Sequence, residues 1–202
     1  MKMTLRGAIL LSLTAIGCSI LAAQDTTMPS KPAAGKPAPP MTMEMPKPSP
    51  EMTKLIQMLS GNWTVTEKQF PNPMMPNGGT GEGTASLTPG PGGLSLMENY
   101  QTTSGMGSFK GFGTFWWDSK DQVYKGVWCD TMTPNGCDTS GTTKWVGDNL
   151  VGTMVGDMNG QKMTTKFTYS DWKPNSFVMT MESGPDANSM QKIMMITYTK
   201  AQ

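Results

Sequence analysis

Histidine is absent from this sequence, and the absence excludes more chemistry than any motif in it admits. Without an imidazole there is no Ser-His-acid triad, no Cys-His dyad, no His-ligated haem and few of the usual zinc sites. Cysteine is scarce, with three in 202 residues. A surplus of either charge is missing too: 16 Lys and Arg stand against 15 Asp and Glu. A surface so near neutrality lacks the basic stripe with which a protein displaces counterions, so nucleic acid is excluded as a partner. Long apolar runs are also lacking. The longest, Gly7 to Ala23, is short for a membrane-spanning helix.

That run follows a basic start, Lys2 and Arg6, and the pair reads as a secretory signal peptide covering residues 1–23. Two cuts fit. Cleavage after Ala23 suits an ordinary signal peptidase. Ala15-Ile16-Gly17-Cys18 resembles a bacterial lipobox, which would end the signal at residue 17 and place a lipid on Cys18, the one route to a membrane. The first is preferred because Ser19 to Ala23 stays apolar where a lipoprotein tether would turn polar. The expected location is the periplasm or the exterior, or the outer membrane under the lipoprotein alternative. Loss of the leader lowers the basic count from 16 to 14 against 15 acids, a net charge of −1.

Either cut leaves Cys129 and Cys137 in an oxidising compartment. They flank a turn, Thr133-Pro134-Asn135-Gly136, and a hairpin there would set them nearly opposite, so a disulfide is expected. Two reduced buried thiols are the alternative.

Residues 24–49 are rich in Pro, Lys, Ala and Met with no hydrophobic period, which predicts a disordered tether. Ser49-Pro50-Glu51 then reads as a helix start: an N-cap, a proline suited to the first turn and an acid at the positive end of the dipole. Met52, Leu55, Ile56 and Leu59 follow at helical spacing, and Gly61 is expected to close the helix in a left-handed conformation.

Beyond Gly61 the period falls to two. Strands are predicted near Trp63–Phe70, Thr80–Leu87, Leu94–Thr103, Ser108–Trp117, Gln122–Met132, Cys137–Val146, Leu150–Asp157, Lys162–Ser170, Ser176–Glu182 and Gln191–Lys200. Turn signals such as Asn77-Gly78-Gly79, Asn135-Gly136 and Asn159-Gly160 separate them. Close, even spacing means successive antiparallel hairpins. About ten of them predict an all-β, up-and-down barrel over residues 50–202, since closure removes exposed edges. A two-sheet sandwich is the competitor. Glycines stand among large apolar residues, as at Gly111 and Gly113 between Phe109 and Phe115, which fits tight curvature or an unfilled interior.

Gly61-Asn62-Trp63, at the start of the first strand after a short helix, resembles the Gly-x-Trp signature of lipocalins and the wider calycin group. The resemblance implies that the helix closes one end of the barrel, that Trp63 plugs its floor, and that a basic residue late in the last strand, here Lys200, packs over the indole. The ordered set "PEMTKLIQMLSGNWTV", Gly79-Thr80-Gly81, "FKGFGTFWWD", "YKGVWCD" and "ITYTK", from about Pro50 to Lys200, resembles a family of secreted bacterial proteins known as domain-of-unknown-function family 1579. Membership implies a lipocalin-like fold and no activity.

Candidate chemistry is thin. No nucleophile or acid–base set can be assembled, so no catalytic residue and no cofactor is expected. Glu98 shares a face with Leu94, Leu96 and Tyr100, and turned inward it would anchor a ligand; turned outward it is merely solvated. With Tyr100, Phe115 and Trp117 it forms the expected barrel lining. Trp116, Trp128 and Tyr124 lie nearby, and the alternative for all these rings is plain core. Asp130 and Asp138 read as exposed acids flanking a hairpin. Methionine is unusually common, at 21 residues. Met41, Met43 and Met45 alternate in the tether, where three thioethers would suit Cu(I); in the strands methionine is expected to fill core. Three functions follow: a non-catalytic barrel binding a small hydrophobic ligand or envelope component, a structural envelope protein with a filled barrel, or Cu(I) handling by the tether.

Overall fold

The computed structural model describes residues 44–202 except 73–74, 134–135, 159–160 and 187. The leader, its alternative end at residue 17 with Cys18 after it, the tether up to residue 43 with Met41 and Met43, and the turn residues Pro134, Asn135, Asn159 and Gly160 lie outside the described residues.

The helix α1 runs Pro50–Leu59. The Ser49 hydroxyl accepts from the Met52 N–H at 3.1 Å, satisfying one of the orphan donors of the first turn. Met52, Leu55 and Leu59 are buried by the helix, each worth about 2 kcal/mol in transfer terms. The predicted closure by Gly61 needs correction. The helix ends at Leu59, Ser60 is extended at φ −62°, and its N–H returns to Ile56 O at 3.0 Å. Gly61 instead opens the first strand with φ +143°. A side chain there would be strained, and its Cβ would stand 3.2 Å from Lys200 Cε.

Ten strands follow: β1 Gly61–Gln69, β2 Gly79–Pro89, β3 Ser95–Ser104, β4 Gly107–Asp118, β5 Val123–Asp130, β6 Cys137–Val146, β7 Asn149–Met158, β8 Gln161–Lys173, β9 Ser176–Gly184 and β10 Gln191–Lys200. Each pairs antiparallel with its neighbours in sequence, and β1 pairs with β10 from Trp63 opposite Lys200 to Gln69 opposite Met194. The cylinder is closed, which excludes the sandwich. Cys129 and Cys137 face each other across the β5–β6 ladder and form a disulfide.

Alternation then assigns every strand an inner face. Along β1, Trp63, Val65, Glu67 and Gln69 are buried while the residues between them are exposed. At the helix end the interior is filled. The Trp63 ring, 3% exposed, donates its N–H to Leu59 O at 2.9 Å and meets Phe177 edge-on at 4.9 Å. Phe177 stacks on Tyr198 at 4.3 Å, and Tyr124 donates to Glu51 O of the helix at 2.9 Å. Lys200 Nζ lies 5.2 Å from the Trp63 ring centroid, within cation–π range.

The indole does most of the closing, so Trp63→Ala should lower unfolding free energy by about 3–5 kcal/mol. Lys200→Met, which keeps the stem, should cost less than about 1 kcal/mol. Urea denaturation of both variants checks the ranking; equal losses would mean the ammonium, not the ring, secures the floor.

Candidate functional site

The opposite half of the barrel is not filled. A cavity of about 330 Å³ opens between the β3–β4 turn, at Met106, and the β5–β6 turn, at Met132. More open grooves of about 480 Å³ each lie elsewhere, one beside Lys54, Trp145 and Trp172 and one along β2 and β3.

The cavity has two unlike walls. One comes from β4, β5 and β7–β10 and is mainly apolar, with Phe109, Phe115 and Trp128 opposite Met154, Met179, Met181 and Met194, and with Thr165, Tyr169 and Tyr198 among them. Its shape depends on small residues. The Trp128 indole lies across Gly111 and Gly113 on the neighbouring strand, and a methyl at Gly111 would overlap the ring. Phe115 covers Gly126, and Phe167 covers Gly152, in the same way. The glycines among large residues are therefore seats for cross-strand rings, a reason beyond curvature or empty space.

The other wall comes from β1 and β3 and is polar. Glu67 accepts from Tyr100 Oη at 2.6 Å, Thr102 Oγ1 at 2.9 Å and Gln69 Nε2 at 3.1 Å. Gly81 and Gly79 stand opposite Glu67 and Gln69 on β2, and a methyl at either would crowd those polar tips. Gln69 Oε1 is buried without a partner. Glu98, 4% exposed, accepts one long hydrogen bond, from Tyr198 Oη at 3.4 Å. Burial pushes its carboxyl up from 4.5 to about 7, and the Tyr198 hydrogen bond only partly opposes this. Burial first, then the Glu67 carboxylate, raise the Tyr100 phenol well above its usual range, so it stays a donor.

Of the expected lining, Glu98, Tyr100 and Phe115 reach this cavity. Trp117 does not. It turns inward but sits toward the helix end, its ring 5.0 Å from that of Tyr124, and belongs to the core. Trp116 pairs with Ser95 and Lys125 on the alternate face, away from Trp117 and Trp128. Leu94 precedes β3 and is exposed rather than sharing Glu98's face. Met154, Met179, Met181 and Met194 line the cavity, and Met179 and Met194 also pack against the core as expected. Asp130 is not a free exposed acid. Its carboxylate accepts from Trp128 Nε1 at 2.9 Å, Thr133 Oγ1 at 2.9 Å and the Met132 N–H at 2.7 Å, fastening the ring to the rim turn and ending β5 earlier than predicted. Met45 is 75% exposed. Among the described residues no group of three or more Cys, Asp or Glu is arranged to hold a metal.

Glu67, Gln69 and Thr102 are site residues that sequence reasoning missed, whereas Trp128, weighed there as a candidate ring, does line the cavity. A signal existed for the first two: they follow Trp63 and Val65 at period two, so an inward Trp63 carries them inward.

A family model matches residues 47–200. The chain belongs to the DUF1579 family, described as proteins of unknown function. No curated protein matches the sequence. Among solved structures, this DUF1579 chain is similar to the S-type phycobiliprotein lyase CPES from Guillardia theta, with TM-score 0.54 and 9% identity over 74% of this chain and 92% of that one. It is also similar to Rv2717c from M. tuberculosis, with TM-score 0.53 and 12% identity over 77% of this chain and all of that one. At such identities the likeness establishes the calycin-like barrel and nothing about activity.

Two measurements follow. Glu98 holds its proton more tightly folded than unfolded, so the folded state binds more protons between pH 4.5 and about 7 and stability falls as pH rises through that window. Glu98→Gln should match the wild type near pH 4 and exceed it by up to about 3 kcal/mol at pH 8; a gap that does not change with pH would place the titration elsewhere. Gly111→Ala should force Trp128 from its seat and cost about 1–3 kcal/mol in urea denaturation, with altered near-ultraviolet circular dichroism.

Proposed function

We propose that this protein is an exported, non-catalytic carrier that holds a small, largely apolar molecule inside its barrel. The observation that carries the reading is the cavity itself: about 330 Å³, enclosed by strands, open at one rim and faced with aromatic and thioether side chains. That volume falls at the lower end of the range of small-molecule sites, roughly 300–1,000 Å³. Methionine suits such a wall because its flexible thioether repacks around different shapes. The leader-like start and the Cys129–Cys137 disulfide support export, to the periplasm or beyond, with an envelope component as a natural ligand. The missing histidine supports a binding role over a catalytic one. A solid barrel acting only through its rim is disfavoured by the same cavity.

The test uses the neutral fluorophore N-phenyl-1-naphthylamine. Its emission should rise on binding wild-type protein, with a micromolar dissociation constant. Met154→Trp and Met181→Trp narrow the cavity and should each weaken binding about tenfold while circular dichroism stays that of a barrel. No enhancement with folded wild-type protein, or enhancement unaffected by either variant, would reject the carrier reading.

A further inference from the structure

The polar wall says more about the ligand than the apolar one. Its groups are hydrogen-bond acceptors in surplus. Glu67 and Glu98 are carboxyls, and Gln69 Oε1 is a third acceptor, in a side chain 95% buried by its 5% exposure. The amide cannot be turned over to relieve it. Gln69 Nε2 donates to Glu67 Oε2 at 3.1 Å, and the reversed amide would set oxygen against oxygen. Of the neighbouring donors, Tyr100 and Thr102 give their hydroxyl protons to Glu67 and Tyr198 gives its to Glu98, while the Tyr169 and Ser104 hydroxyls also line the chamber. None of the residues lining the cavity is a lysine or an arginine.

Gln69 Oε1 has no surface open to solvent and is unpaired in the empty barrel, and solvent entering from the rim meets the rest of this wall. A ligand that displaces it must bring donors of its own, or leave Gln69 and Glu98 facing hydrocarbon. An apolar acid would do worse. Its carboxylate would be desolvated beside two others with no cation to meet it. A cation has the opposite prospect, since the carboxyls attract it and the faces of Trp128 and Phe109 favour it as well.

Resting on the carrier reading, we infer that the ligand is an apolar molecule with an amine head, bound as the ammonium ion, its N–H groups directed to Gln69, Glu67 and Glu98. Fatty acids and other apolar anions are then poor ligands, although the cavity's volume and hydrocarbon surface would admit them. The thioether and aromatic wall takes the tail, and the β1–β3 wall selects the head.

Three probes with one tail and different heads test this: decylamine, 1-decanol and decanoate, each titrated at pH 7 below micelle formation by calorimetry. Wild-type protein should bind decylammonium at least tenfold more tightly than decanoate, with decanol between them. Glu98→Gln and Gln69→Leu should each cut the ratio of amine to acid affinity several-fold and leave decanol within about threefold. Decanoate binding as tightly as the amine would overturn the head-group assignment and leave the carrier reading standing. An amine preference unchanged in both variants would overturn it too, by placing selection outside this wall. Failure of all three probes to bind, together with N-phenyl-1-naphthylamine, would remove the carrier reading and the inference with it.

Discussion

The pairing of β1 with β10 is the constraint on which the other features depend. It closes ten strands into a ring in which every backbone edge finds a partner. Once the ring is shut, each strand has one face that water reaches only through an end. Trp63, Phe177 and the helix fill one end, while at the other the large side chains line a hollow.

Polar residues can occupy such a hollow because they satisfy one another. Glu67 would be costly alone in an apolar interior. With three donors converging on it, the carboxylate becomes the fixed centre of the β1–β3 wall. Glu98 has only one distant donor, and burial raises its carboxyl to about 7. The two glutamates thus share one chamber in different ways: one is built in, the other is available.

Much of the fold was legible because its signals are local. Ser49 and Pro50 mark a helix start by their own chemistry, and the turns repeat closely enough that only hairpins fit between them. The Gly-x-Trp resemblance then supplied the arrangement of Trp63 and Lys200, which spacing alone does not give. The site was harder to read because burial in a barrel depends on partners far away in sequence. Glu67 looks like any alternating polar residue until closure turns the Trp63 face inward. Trp117 and Phe115 share a face, yet their different heights along the barrel put one in core and the other on the chamber wall. Asp130 resembles a loose hairpin acid until the rim turn folds back on it. Gly111 shows its purpose only when Trp128, seventeen residues on, lies across it.

Both ends of the barrel domain are tied to its base. Pro48 packs near Gly93 beneath the helix, and Ala201 donates its N–H to Asn62 O beside the Trp63 stopper. Among the described residues, the rim carries the loops between strands. Those loops can change length or composition without disturbing either terminus or the stopper, much as a vessel's lip can be recut without touching its foot. Divergence in what such vessels accept can thus be written at the lip, in segments like those bearing Met106 and Met132, while the cylinder below stays the same.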